Sequence, residues 1–400
     1  MNERVLIAGG GPSGMATALF LIQNDIPVTV IERGVKPHAD PRAATYHPPT
    51  LEMLAPSGVT DELHSRGIIA RRWQFRDRRE GLIAEFDLGL LANETPYPYR
   101  LQCEQHKLVT MMERRVVSSP LATVIHGADI ESVNQDSSEV RIAMRHIDGK
   151  QSRLSGSFLV GADGGRSIVR KSQEIGFEGF TWPERFIIIT TTFDFGLLGF
   201  AYSSYIMDPI EWAATFKVPG EDQQGIWRCV FPARADEIES ELLDPARAAL
   251  RLSHFIPESR LARVVHVNLY SVHQRVASTY RKGRVLLVGD AAHINNPLGG
   301  MGLNFGIHDA HHLAGCLAET FEIGGDAPLD RYDRQRRAVA ERYLQAQTIA
   351  NKQMLEETDP DRRLARQMEI RDIAADPARA RLYLLRTAMI EGLRVAASIN

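Results

Sequence analysis

The sequence predicts an α/β fold: a Rossmann-like dinucleotide-binding domain, interrupted by an inserted antiparallel β-sheet domain and finished by C-terminal helices. Three observations predict it. A strand–glycine–helix–strand–acid unit occupies residues 5–34, and a second strand–acid–glycine–helix unit stands near residue 290. Between them, residues 184–275 change to alternating β patterns, aromatics and turns such as "MDP" and "VPGEDQQG".

In the opening unit, Val5, Leu6 and Ile7 form a short buried-strand pattern. Gly9, Gly11 and Gly14 then match G-x-G-x-x-G. The first glycine permits the tight turn, the second lets backbone approach a pyrophosphate, and the third lets helix pack on strand. Pro12 and Ser13 open the helix, whose unpaired N–H groups and positive dipole end face the diphosphate. The next strand, Pro27 to Ile31, ends in Glu32 and Arg33, with Glu32 lying 23 residues after Gly9. A carboxylate there accepts hydrogen bonds from ribose hydroxyls and disfavours a 2′-phosphate. The unit predicts a dinucleotide site without separating NAD from FAD.

Bulk properties bound the reading. A chain of 400 residues with 44% hydrophobic content can bury two or three domains. A formal net charge of −3 points to neither nucleic acid nor an anionic membrane as principal partner. Cys103, Cys229 and Cys316 are far apart with no C-x-x-C, which fits reduced cytoplasmic thiols and argues against a disulfide or Cys-based zinc site. The first strand follows the N-terminus directly, so no signal peptide is expected. The most apolar stretch, 186–202, is interrupted by Asp194 and rich in β-branched residues, so it reads as sheet and no membrane span is expected.

Along the chain, "PRAATYHPPTLEMLAPSGVTDELHSRG" reads as a loop and then a helix, and residues 73–88 as a hairpin turning at Arg79-Glu80-Gly81. A helix pattern resumes at 104–116, followed by short strands to 147 and another strand–glycine–helix at "GSFLVGADGGRSIVRKSQ". From 303 onward the pattern is mainly helical. The dinucleotide domain is therefore expected to be discontinuous, comprising 1–72, 97–180 and 276–330. A β-rich substrate domain is expected over 73–96 and 181–275, and a helical segment over 331–400.

The stretch "GRVLLVGDAAHINNPLGGMGLNFGIHDAHHLA" decides the cofactor. A buried strand, Val285 to Val288, delivers Gly289 and Asp290, and after Pro297 the glycines 299, 300 and 302 open a helix. NAD bound at the first strand has no need of this second device. FAD does: its ribityl hydroxyls suit Asp290, and a helix N-terminus stabilises the negative charge of a reduced isoalloxazine. The fold is thus expected to be an FAD-binding Rossmann-like domain of the glutathione-reductase type.

Over nearly the whole chain the sequence resembles the class A flavoprotein monooxygenases, the single-component aromatic hydroxylases similar to p-hydroxybenzoate hydroxylase. The resemblance rests on GxGxxG at 9–14, "GADGGRSIVR" at 161–170 and "GDAAHINNPLGGMGLN" at 289–304, in that order. "PRAATYHPPTLEML", "MDPIEWAATF…GIWRCVFP" and "YLLRTAMIEGLR" also look like the family's early loop, substrate domain and terminal helix. The resemblance implies that Asp163 and Gly164 lie where the FAD pyrophosphate and the nicotinamide donor both approach, with Arg166 in the same motif. It implies Arg42 near the FAD phosphates, and Gln105, with Gln102 as competitor, on the ribityl side. Gly302, Leu303 and Asn304 would meet the flavin pyrimidine ring, and Pro297 would border the place where flavin and substrate meet.

It also implies the chemistry: NADH or NADPH binds transiently and reduces FAD, O2 adds to give a flavin C4a-hydroperoxide, and an OH passes to an electron-rich phenol, aromatic acid or hydroxypyridine. That demands a water-excluding pocket between the two domains and a Tyr or His that deprotonates the substrate. Candidates are Tyr46, His47, Tyr202, Tyr205 and Arg228. Each tyrosine is either a pocket residue or a core residue with a satisfied hydroxyl. Arg228 is either a bidentate clamp for a substrate anion or a surface strand arginine. His308 and His312, one helical turn apart, could pair on a metal, but their helix already serves the flavin and no metal is expected. The basic run 71–79 reads as a solvated hairpin face, or else as a surface that steers the donor's phosphates.

Three other readings share the scaffold. A flavin-dependent halogenase would carry W-x-W-x-I-P, and tryptophans 73, 182, 212 and 227 include no such pair. A geranylgeranyl-reductase-like alkene reductase and a non-turnover FAD-binding redox sensor remain as alternatives. A homodimer follows from the resemblance alone.

Overall fold

The computed structural model describes residues 4–35 and 43–400; Arg42 lies outside the described residues. A six-stranded sheet forms the base. Its spatial order is Arg281–Lys282, Val285–Leu287, Phe158–Gly161, Val5–Ala8, Val28–Glu32 and Ala122–His126. All neighbours are parallel except the short edge strand 281–282. All four side chains of Val5–Ala8 are buried, as a strand covered on both faces requires. The helix Pro12–Ile22 packs beside the long helix Gly302–Ile323. A meander of Ala128–Gln135, Val140–His146 and Gln151–Gly156 adds Ile130, Val133, Ile142 and Met144 to the same core.

An eight-stranded sheet stands beside this unit. Its order is His293–Ile294, Val264–Ala277, Phe177–Thr191, Ile226–Ala233, Ala213–Val218, Ser203–Met207, Arg72–Asp77 and Gly81–Asp87. The expectation of an antiparallel sheet needs one correction, because Ser203–Met207 runs parallel to Arg72–Asp77. The 72–87 hairpin arrives more than a hundred residues before its neighbour, so no tight turn sets their relative direction.

Strand alternation gives this sheet two different faces. The outer one, with Ile187, Ile206, Trp227 and Phe231, is covered by the helix Pro245–Phe255 through Leu252 and Phe255. The inner one carries Trp73, Phe75, Phe186, Tyr205 and Val230. It packs on Leu298 and on Leu384 and Leu385 of the helix Pro377–Thr387. The C-terminal helices thus close the inner face over the loop that contains Pro297. Among the described residues no helix is long and apolar enough to cross a membrane.

Candidate active site

The first strand ends in a glycine turn whose space requirements differ position by position. Gly9 has φ +101°, and a Cβ there would lie 2.5 Å from the Ala162 carbonyl oxygen. A Cβ on Gly14 would lie 1.9 Å from the Gly9 oxygen, so backbone fills that space. Gly11 is the opposite case: a Cβ would meet nothing within 4 Å. It is the N-cap of the helix, with no side-chain cap and Pro12 following. Open space before an uncapped, N–H-rich helix end is what a pyrophosphate needs. Ser13 points elsewhere, since a Cβ on Gly289 or Gly306 would come 2.2 or 2.3 Å from its Oγ. Its side chain fills the crossing between the two glycine-bearing segments. Glu32 reaches back to the turn, accepting from Gly10 N at 2.6 Å and Gly34 N at 2.7 Å, while Arg33 is exposed.

The strand Phe158–Gly161 delivers Asp163, which accepts from the backbone N–H groups of Ile168 at 2.7 Å and Val169 at 3.1 Å. Its Oδ1 is buried without a hydrogen-bond partner, and burial raises its carboxyl pKa. Gly164 is in the left-handed region with open space around it, and Arg166 is exposed. The buried arginine of this motif is Arg170, a residue sequence reasoning passed over. It donates to Ala291 O and Gly165 O, both at 2.9 Å, and stacks on Phe177. Its contacts tie the two glycine motifs together.

Gly289 and Asp290 follow the strand Val285–Leu287; Gly289 is buried and Asp290 exposed. The turn is held from beneath by Asp309. One of its oxygens accepts from Gly289 N at 3.1 Å and His293 Nε2 at 2.6 Å, the other from Arg336 Nε at 2.7 Å. Arg336 and His293 keep the Asp309 carboxyl well below the usual carboxylate range. His308 bonds Thr50 at 2.9 Å. The "HDAHH" cluster therefore contributes a buried ion pair and a packing bond.

Pro297 is exposed, and its carbonyl accepts from Gly300 N at 3.0 Å. The helix that follows, Gly302–Ile323, has no side-chain cap, so its first N–H groups are unspent. Gly302 and Leu303 are half-buried there. The Asn304 side chain is fully used within the protein, accepting from His47 N at 2.9 Å and donating to Thr45 O at 2.8 Å and Gly300 O at 2.6 Å. Gln102 accepts from Thr45 Oγ1 at 2.7 Å and leaves its buried amide nitrogen unpartnered. Gln105 is half-buried at the first position of the helix Gln105–Val117. An uncapped helix end, an open glycine, an acid at the second strand and unpartnered buried groups on Asp163 and Gln102 fit an elongated, polar, anionic cofactor such as FAD.

Beyond the Pro297 loop lies a second group of side chains. The Gly299 backbone anchors both side chains: its carbonyl accepts from His47 Nε2 at 2.9 Å, and its N–H donates to the Tyr205 hydroxyl oxygen. A carbonyl only accepts, so Nε2 carries the His47 proton and the buried Nδ1 is a bare acceptor without a partner. Burial, with the Arg100 charge adding to it, lowers the His47 pKa to about 3, and burial pushes Tyr205 up to about 12. Tyr205 packs edge-on to Trp73 and Phe75. Arg100, only 3% exposed, lies 4.4 Å over the Trp73 ring, and Tyr383 stacks on Trp73 from the terminal helices.

The structure thus brings together Tyr205, His47 and the loop of Pro297 and adds Arg100, Trp73 and Tyr383, which sequence reasoning missed. Arg100 had one visible signal, a lone charge between the apolar residues of "PYPYRLQC". Tyr202 does not join them: it is 40% exposed, against Trp227 on the outer face. Tyr46 is fully buried in the base core with its hydroxyl unpartnered. Arg228 is on the inner face and buried, with the carboxylates of Glu104 and Glu221 near enough to act on its charge.

Comparison with known proteins agrees with this geometry. A family model described as "FAD binding domain" matches residues 2–347. The chain is 34% identical to para-nitrophenol 4-monooxygenase of Pseudomonas sp. (strain WBC-3), over 98% of this chain and 97% of that one. It is 31% identical to 6-hydroxy-3-succinoylpyridine 3-monooxygenase HspB of Pseudomonas putida (strain DSM 28022 / S16), over 84% and 85%. The crystal structure of p-nitrophenol 4-monooxygenase PnpA from Pseudomonas putida DLL-E4 superposes with a TM-score of 0.91 at 31% identity, covering 98% of each chain. A tight-turn glycine site for FAD, a buried aromatic cluster beside it and matches along the full length lead to one assignment: the chain belongs to the class A flavoprotein monooxygenases, the FAD-dependent aromatic hydroxylases.

Proposed function

We propose that the protein uses NADH or NADPH and O2 to hydroxylate a small phenol or hydroxypyridine in the enclosure formed by Arg100, His47, Trp73, Tyr205 and Tyr383. The observation that carries this reading is a cluster of buried polar groups without partners among packed aromatic rings, against the Pro297–Gly300 loop. The relatives' names, para-nitrophenol 4-monooxygenase and 6-hydroxy-3-succinoylpyridine 3-monooxygenase, point to the same class of ring. FAD, when bound, supplies electron transfer from the nicotinamide and the activation of O2.

The chain's own residues do the rest. Glu32 accepts from ribose hydroxyls, and the Gly11 helix end holds the pyrophosphate. Asp290 and one of the glutamines, Gln102 or Gln105, take the ribityl side. The N-terminus of Gly302–Ile323 stabilises negative charge near the flavin pyrimidine ring. Tyr205 and His47, both anchored on the Gly299 backbone, orient the substrate ring, and Pro297 marks the edge where the ring meets the flavin. The aromatic walls exclude water, which protects the oxygenating species from wasteful breakdown.

Two further statements belong to the same proposal. A cytoplasmic setting is supported by three free, buried cysteines, and a homodimer by the family resemblance; sedimentation velocity checks the latter. The reaction reading is tested by anaerobic reduction of the yellow protein with NADH and NADPH in turn, with and without a phenol. The expected result is fast reduction by one or both donors, accelerated by a phenol. Slow reduction with every donor and ring would instead return the chain to the redox-sensor reading.

A further inference from the structure

We propose that Arg100 is the substrate's anion receptor: it takes the phenol as its phenolate, so the ring arrives in the electron-rich form that oxygenation needs. This rests on the hydroxylase reading above and assigns the specificity of that site.

Arg100 is buried, and its only hydrogen bond to the described residues is a long one, from Nη1 to Ser203 Oγ at 3.4 Å. Its Nε is buried without any partner. Among the described residues no carboxylate forms an ion pair with it; the ionisable groups that face it are His47, Tyr205 and Tyr383. A guanidinium with five donors and no counter-ion, taken out of water, is costly unless something anionic completes it. The protein surrounds it with the face of Trp73, which supports a cation, and with two phenol hydroxyls. Trp73 Nε1, Tyr383 Oη and His47 Nδ1 are likewise enclosed without partners. Four unpartnered polar groups around one aromatic cluster point to a ligand.

Neighbouring groups narrow its chemistry. Neither Tyr205 nor His47 suits the task of removing a phenol proton near neutral pH. Tyr205 holds its own proton up to about 12, and His47 resists taking one above about 3. A cation that selects the phenolate needs no protein base, because the phenol proton leaves to bulk water as the ring enters. Arg228 is a weaker candidate for the same role, since Glu104 and Glu221 already act on its charge.

The test uses the FAD-loaded enzyme with oxygen and nicotinamide absent. 4-Nitrophenol and its neutral methyl ether, 4-nitroanisole, are the probes, followed by halophenols and hydroxypyridines. The first readout needs no variant. At a pH below the phenol's own pKa, wild-type binding is expected to produce the phenolate absorption band and release a proton. Binding of the protonated phenol overturns the proposal. The second readout compares Arg100→Met with wild type. The variant is expected to bind phenolate on the order of 100-fold more weakly and to treat phenol and ether alike. Because the substitution removes an uncompensated buried charge, FAD content and melting temperature are expected to hold or rise. Should Arg100→Met not fold, Arg100→Lys is expected to keep the preference for phenolate over ether; equal binding of the two by that variant counts against the proposal. If wild type oxygenates a phenol and Arg100→Met still binds it as phenolate with unchanged affinity, Arg100 is not the receptor although the hydroxylase reading stands. If wild type neither binds nor oxygenates any phenol or hydroxypyridine, the hydroxylase reading fails first.

Discussion

Single residues at the glycine turn make contrasting predictions. Gly11→Ala adds a methyl to open space at an ordinary φ of −71°, so the apoprotein is expected to fold with an unchanged melting temperature. The methyl occupies the pyrophosphate's approach, and FAD affinity measured by fluorescence titration is expected to drop at least about tenfold. Gly14→Ala drives a methyl into the Gly9 carbonyl and is expected to lower the melting temperature before any question of FAD arises. The reverse pattern would mean that the turn has been misassigned. His47 gives a pH prediction. Its folded pKa of about 3 lies below the unfolded value of about 6.5, so only the unfolded chain takes up the proton between them. This group therefore costs nothing above pH about 6.5 and removes on the order of 4 kcal/mol as pH falls towards 3. Urea unfolding at a series of pH values is expected to show that acid slope, made shallower in His47→Gln. At this scale the sequence was legible where a residue's job is geometric, as with Gly9 and Glu32. It was silent on Arg100, because an unpaired buried cation differs from a surface arginine only in what folds around it.

Among the elements, the loop 295–300 is held by side chains from distant segments. Asn296, fully buried, accepts from Leu298 N, donates to Thr348 O, and receives the Gln274 side-chain oxygen at both its backbone and amide nitrogens. Asn351 Nδ2 donates to Leu298 O at 3.1 Å. Asn296→Ala is expected to leave FAD binding within a few-fold while loosening the loop, so that more NAD(P)H oxidation yields hydrogen peroxide than hydroxylated product. A peroxide assay beside product analysis checks this; unchanged coupling would show that the loop is rigid without Asn296. Beneath the neighbouring turn, Asp309→Asn breaks a buried ion pair while leaving Arg336 in place, which costs about 3–5 kcal/mol. The loss should appear as a lower urea midpoint at neutral pH. In wild type, the depressed Asp309 pKa contributes stability that is present above the unfolded value near 4 and lost below it. Strand and hairpin periodicities announced the 72–87 hairpin and the strand at 285–287. They could not announce the parallel pairing of 203–207 with 72–77, nor the role of Asp309, because both depend on partners far along the chain.

At the scale of the whole molecule, the class was readable from three motifs in fixed order, because FAD spans the carboxyl ends of several strands and each imposes its own local spacing. The substrate site proposed here was not readable. Its walls come from residues 47, 73, 100, 205 and 383, which belong to different elements and carry no shared motif. The same arrangement gives the C-terminal helices a structural part in that site: Tyr383 and Leu384 close the inner sheet face over the Pro297 loop. The central claim is that this enclosure hydroxylates a phenolic ring at the expense of a nicotinamide and O2. The most direct measurement supplies the purified yellow protein with NAD(P)H, isotopically labelled O2 and a panel of phenols and hydroxypyridines, and weighs the product. At least one ring is expected to accelerate NAD(P)H oxidation and to gain one labelled oxygen atom. Oxidation that produces only peroxide with every ring, or a product whose new oxygen comes from water, would contradict it.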